Sequence, residues 1–277
     1  MFCHISIPKI SHHNIHAKSQ LLIPQIDSNA VVILGDSRLE WGLKTQEMAQ
    51  GKEHILNLAF PGSNGFDIIR YMINNEIYPK KILLGFTPNY WTYHNHQMDK
   101  EEYSTMNLFK TTIKYWLTQH SFLYDKTSLD LYFKGEKPYF IHHDYDEYGN
   151  VLVKERGDFH EREKHQLELY ADLNKKFNRD SLNTYLNELA QLLDELKGRT
   201  SVYGIYMPVS DTIFSLEKPH YQPSEVNAIF ENFLDFSSSF ANNDSTIFYD
   251  GSHLSPGFAR EFSKNLAAAA KQKQGGR

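Results

Sequence analysis

The feature that most constrains this chain is an alternation. Short, continuous apolar runs, each closed by glycine or proline, are separated by stretches with helical periodicity. Residues 30–34 (AVVIL) are largely β-branched and stop at Gly35, the pattern of a strand buried on both faces. Residues 54–60 (HILNLAF) stop at Pro61 and Gly62, residues 81–86 (KILLGF) near Pro88, and residues 201–207 (SVYGIYM) at Pro208. Residues 246–249 (TIFY) predict a fifth strand. Between them, helices are predicted over 38–49, about 64–75, from 181 to an end at Gly198, over 224–236 and about 256–271. The fullest apolar face holds Leu182, Tyr185, Leu186, Leu189, Leu192, Leu193 and Leu196, and the last helix carries proline in its first turn. Strands and helices alternating through short connections predict a parallel sheet with right-handed crossovers. The class is α/β: a flavodoxin-like three-layer α/β/α sandwich around a five-stranded parallel sheet.

The alternation is interrupted once. Residues 90–180 hold 18 of the chain's 38 Phe, Trp and Tyr and 7 of its 14 histidines, so they read as an aromatic-rich insertion, much of it a satellite core. The predicted organisation of the 277 residues is an N-terminal extension over 1–29 and one domain over 30–277, with 90–180 inserted as a subdomain. No internal repeat is present.

Charge and cysteine content remove several function classes. With 29 Lys+Arg against 34 Asp+Glu, a net charge of −5 and no basic block, the chain lacks the clustered cations of a nucleic-acid surface. Cys3 is its single cysteine, so no internal disulfide can form. No apolar run reaches the roughly 18 residues of a membrane span, and the first thirty residues contain no signal-type stretch. The expected location is the cytoplasm, or outside it for a trimmed exported domain. Oligomeric state is not encoded in any pattern found.

In a doubly wound sheet, ligands bind beyond the carboxyl ends of the strands, and two unusual clusters fall there. Gly35-Asp36-Ser37-Arg38 follows the first strand and opens a helix, where a serine stands among free backbone N–H groups able to stabilise an anion. The plainer reading is a helix cap by Asp36 or Ser37. Asp250-Gly251-Ser252-His253 follows the last predicted strand. A carboxylate three residues before an imidazole can bond Nδ1, fix the tautomer and leave Nε2 to accept a serine proton. Arg38 reads either as a ligand for an anionic substrate group or as a solvated first-turn side chain. Tyr90 and Trp91 are expected at the edge of the site, on the substrate.

These clusters, in this order, resemble the SGNH or GDSL-type serine hydrolases and acyltransferases. Residues 32–37 (VILGDS) are similar to the family's first block, which carries the nucleophile. Residues 57–62 (NLAFPG) are similar to the second, whose glycine donates a backbone N–H to the oxyanion. Residues 250–255 (DGSHLS) are similar to the last, which supplies acid and base. The resemblance covers roughly 30–89 and 181–270. It implies Ser37 as nucleophile, Asp250 and His253 as its partners, and an oxyanion hole from the N–H groups of Ser37 and Gly62. The family's third block, Gly-x-Asn-Asp, is altered here to Gly85-Phe-Thr-Pro-Asn89, which leaves Asn89 as the substitute oxyanion donor. With Gly-Asp-Ser-Arg in the first block, this is closest to the branch resembling bacterial O-acyl-transfer proteins. The implied activity is a serine esterase acting on an O-acyl, chiefly O-acetyl, group of a carbohydrate or related ester. The alternatives are transfer of that acyl group to a glycan hydroxyl and a non-catalytic binding domain. No cofactor or metal is required, and the implied partner is a small-molecule or glycan ester.

Three other signals carry less. Asp144 to Glu155 imitates a calcium-binding loop, but Tyr148 occupies its fifth position and the flanks read as strands, so a β-hairpin turning at Gly149-Asn150 is predicted. His160-Glu-Arg-Glu-Lys164 departs from a zinc-binding His-Glu-x-x-His. The elbow Gly-x-Ser-x-Gly of the α/β-hydrolase fold does not occur.

Overall fold

The computed structural model describes residues 18, 22–49, 53–88, 148–151, 158–240 and 244–275. Five parallel strands form one sheet: β1 (Val31–Leu34), β2 (Ile55–Asn57), β3 (Lys81–Gly85), β4 (Ser201–Tyr206) and β5 (Asn232–Asp235), in the order β2-β1-β3-β4-β5. This is the flavodoxin-like order expected of the α/β sandwich. The helices are α1 (Ser37–Gly42), α2 (Thr45–Met48), α3 (Phe66–Asn74), α4 (Phe159–Lys175), α5 (Arg179–Leu196), α6 (Asp211–Glu217), α7 (Pro223–Ile229) and α8 (Pro256–Gly275).

Strand periodicity explains the three layers. Side chains of β1 alternate between faces, so Val32 and Leu34 join one core with the leucines of α5 and with Phe66, Ile69 and Met72 of α3. Val31 and Ile33 face the other core, with Leu39 of α1, Met48 of α2 and Ala259, Phe262 and Leu266 of α8. Both faces are covered, which is why the strands read as unbroken apolar runs.

Four features depart from the sequence expectation. The fifth strand is not 246–249 but Asn232–Asp235, inside the stretch predicted as helical over 224–236. Helix α7 ends at Ile229, its cap Phe230 is extended, and Phe233 and Leu234 then add to β4. A run of four residues is too short for periodicity to separate helix from strand. Residues 246–249 instead fold back, with Phe248 bridging Leu254 and Tyr249 N–H donating to the His253 carbonyl at 2.8 Å. The helix predicted over 38–49 is broken into α1 and α2 at Leu43, where Lys44 N–H donates to Ser263 Oγ of α8 at 2.8 Å.

Of the predicted N-terminal extension, residues 18 and 22–29 are described: Leu22, Ile23 and Ile26 belong to the core, and buried Lys18 donates to the Ala59 carbonyl at 2.7 Å and pairs with Glu40. Within the predicted insertion, residues 148–151 lie along the free edge of β2, where Asn57 N–H donates to the Tyr148 carbonyl at 2.9 Å and Asn150 bonds Thr45 in both directions. Gly149 has the positive φ, 82°, expected of the turn; most of the predicted hairpin lies outside the described residues. Helix α4 adds Tyr170 and Leu173 to the buried interior. Among the described residues no helix is long and apolar enough to cross a membrane.

Candidate active site

The site forms at the carboxyl edge of the sheet. Strand β1 ends at Gly35, whose φ of +138° is open to glycine, and a Cβ there would stand 3.1 Å from the backbone of Gly85 at the end of β3. That close approach lets the chain turn sharply into α1. Asp36 caps the helix, Oδ1 accepting from Arg38 N–H at 3.0 Å. Ser37, first in the helix and half-buried, therefore projects from the rim where the leading N–H groups of α1 point. The cap reading of Asp36 is borne out.

The partner loop arrives from the far end of the chain. Ser210, following β4, donates its N–H to the Gly251 carbonyl at 2.8 Å and so ties the 250–255 loop to the same rim. Asp250 Oδ1 accepts the N–H groups of Ser252 at 3.0 Å and His253 at 2.8 Å, and the carboxylate holds His253 Nδ1 at 2.8 Å from Oδ2. His253 Nε2 then lies 2.8 Å from Ser37 Oγ. Burial alone would push the Asp250 carboxyl up, but the nearby His253 charge and these N–H groups hold it below the ordinary carboxylate value. Asp250 thus stays ionised and orients the imidazole. Ser37, His253 and Asp250 meet as the sequence predicted, although the loop follows β5 at a distance and does not cap a strand at 246–249.

Gly62 sits in the turn after β2 with φ +72°. Phe60 N–H donates to the Gly35 carbonyl at 2.9 Å, which pins that loop against the turn that leads into Ser37. Asn89, Tyr90 and Trp91 lie outside the described residues.

Arg38 is corrected. It neither faces substrate nor points to solvent: it is 1% exposed. Its Nη1 and Nη2 donate to Glu217 at 3.1 and 2.7 Å, Nη2 to Tyr170 Oη at 2.6 Å, and Nε to Ser252 Oγ at 3.2 Å. Burial alone would pull the guanidinium down, but the Glu217 carboxylate, with Tyr170 and Asp36, holds it well above its ordinary value. Tyr206 donates to Glu217 Oε2 at 2.6 Å, and burial followed by that carboxylate raises the phenol well above its usual range.

Sequence reasoning missed Tyr170, Tyr206, Glu217, Ser252 and Trp41. One had a local signal: Glu217 stands four residues after Ile213, both buried on one stripe of α6, and a carboxylate on an apolar stripe demands a partner. Trp41, on α1, packs its indole against His253 and Tyr249. Among the described residues no group of three His, Cys, Asp or Glu side chains could hold a metal ion.

A serine hydroxyl in contact with an imidazole that a carboxylate holds from behind is an arrangement chemically able to transfer an acyl group. A scan against models of protein families finds no match to the chain, and a search of curated proteins finds none.

Proposed function

We propose that this chain is a serine esterase of the SGNH type that removes an O-acyl group, chiefly acetyl, from a carbohydrate or related ester through an acyl-serine intermediate. The observation that carries the reading is the 2.8 Å contact of Ser37 Oγ with His253 Nε2, backed by Asp250 on Nδ1. The carbohydrate rests on the motif resemblance.

His253 Nε2 takes the hydroxyl proton as Ser37 Oγ attacks the ester carbonyl carbon. The tetrahedral oxyanion is met by the N–H groups of Ser37 and Gly62, and the motif resemblance implies the Asn89 amide as a third donor. Collapse breaks the bond to the alcohol oxygen, which leaves with the proton from His253. Water, deprotonated by the same imidazole, attacks the acyl-serine, and collapse returns Ser37 and releases the acid. Each donor to the oxyanion contributes about 10²–10³ in rate in such sites.

The test is hydrolysis of p-nitrophenyl acetate together with labelling by a serine-directed fluorophosphonate. Turnover that disappears in Ser37→Ala and His253→Ala, with label on Ser37, supports the reading. A folded wild-type protein that neither hydrolyses the ester nor takes the label refutes it. Product partition with excess glycan acceptor tests the second step: free acid is expected, and acylated sugar would replace water with a glycan hydroxyl.

A further inference from the structure

Among the described residues the largest fully buried side chain is a charged one, Arg38, and it stands next to Ser37 in sequence. Ser252, which accepts from Arg38 Nε at 3.2 Å, precedes His253. The two halves of the proposed catalytic contact come from segments more than two hundred residues apart, and a single guanidinium touches the chain next to both.

The cluster is closed on all sides. Glu217 at the end of α6 takes the fork of Arg38 with both oxygens and is 0% exposed. Its Oε2 also accepts Tyr206 Oη of β4 at 2.6 Å. Tyr170 Oη of α4 accepts from Arg38 and shares a hydrogen bond with Ser252 Oγ at 3.1 Å, and the guanidinium carbon lies 5.3 Å from the Tyr170 ring centre. Ser252 in turn gives its backbone N–H to Asp250.

A buried ion pair is a poor means of stabilising a core, because desolvation offsets most of the attraction and apolar residues of equal volume do as well or better. What a bidentate guanidinium–carboxylate pair supplies is direction: a planar fork sets both distance and angle. Proton transfer between Ser37 and His253 needs that precision, since a misplacement of about 1 Å costs on the order of 10²-fold in rate.

We propose that the buried Arg38–Glu217 pair, braced by Tyr170 and Tyr206, sets the contact between Ser37 and His253, with Arg38 positioning the nucleophile directly and the base through Ser252. The inference rests on reading Ser37 and His253 as nucleophile and base.

The test removes the pair without leaving a lone buried charge. In Arg38→Met/Glu217→Leu, melting within a few degrees of wild type or above it is expected, while kcat for p-nitrophenyl acetate falls at least about tenfold with KM little changed. Arg38→Lys keeps the charge but loses the fork and does not restore kcat. An activity-independent readout is the imidazole NMR signal of His253: Ser37→Ala shifts it in the wild-type background and leaves it unmoved in the double variant. A stable double variant with wild-type kcat, or one whose His253 signal still answers to Ser37→Ala, overturns the proposal. Should the double variant fail to fold, Tyr170→Phe removes one hydroxyl and keeps the ring. There a severalfold loss in kcat and a weakened His253 response are expected, and their absence overturns the proposal equally. A wild-type protein without turnover or label would refute the esterase reading alone, because the NMR comparison still decides the role of the pair.

Discussion

The indole of Trp41 lies against the imidazole of His253, ring centres 4.8 Å apart and planes tilted by 38°. Behind it stands Tyr249 at 5.2 Å, and over Tyr249 the guanidinium of Arg162 at 4.1 Å, which also donates to the Tyr249 carbonyl at 2.9 Å. In the proposed mechanism His253 is cationic while it holds the Ser37 proton, and a cation beside an aromatic face gains about 0.5–2 kcal/mol.

On the proposed mechanism, Trp41→Leu is expected to reduce kcat severalfold, because the ring packed on the imidazole is lost. Steady-state rates of both proteins check this, and an unchanged kcat would remove Trp41 from the account.

On the proposed mechanism Ser37, His253 and Asp250 act as a unit, so their losses should not add. Ser37→Ala and His253→Ala are each expected to reduce kcat by roughly 10⁴–10⁶, and the double variant by no more than the larger single effect. Steady-state rates of the three variants at equal concentration provide the comparison; multiplicative losses would mean that the 2.8 Å contact is not used in catalysis.

Asp250 couples the site to acid stability. Its folded pKa is depressed, so its contribution is present above the unfolded value near 3.9 and is lost as pH falls through the folded one. Asp250→Asn should be less stable than wild type at pH 7, and the gap should close below about pH 4. Denaturant titrations at pH 7, 5 and 3 measure it. At pH 7 the same variant is expected to lose about 10⁴ in kcat, because the imidazole is no longer held in the right tautomer.

Backbone strain provides a further prediction. Gly35→Ala places a Cβ 3.1 Å from Gly85 at a φ of +138°, and should cost about 1–3 kcal/mol while displacing Ser37. Gly257 has open space around it in the first turn of α8, so Gly257→Ala should be neutral or stabilising by up to about 1 kcal/mol. Thermal melts of the two variants, measured together, discriminate local strain from a general intolerance of alanine.

Signals that are local in sequence were readable. The first four strands were, because each is a short apolar run stopped by Gly or Pro, and burial on both faces needs nothing more. Asp250 and His253 were, because three residues of chain bring a carboxylate to an imidazole whatever surrounds them. The fourth strand's neighbour was not. Asn232–Asp235 has four residues, half of them polar, and becomes a strand only because the edge of β4 is there to pair with.

By itself, then, the sequence determined a parallel α/β sheet and the chemical identities at its rim, since both follow from periodicities of two to four residues. Only the tertiary structure decided what Arg38 meets. Next to Ser37 at a helix start, it reads as a solvated or substrate-facing cation; in the fold it meets Glu217, Tyr170 and Ser252 from three other segments. The partner of a buried charge is set by contacts more than a hundred residues away, and no local pattern records them. The same long-range packing brings Trp41 onto His253 and places Ser37 within reach of its base.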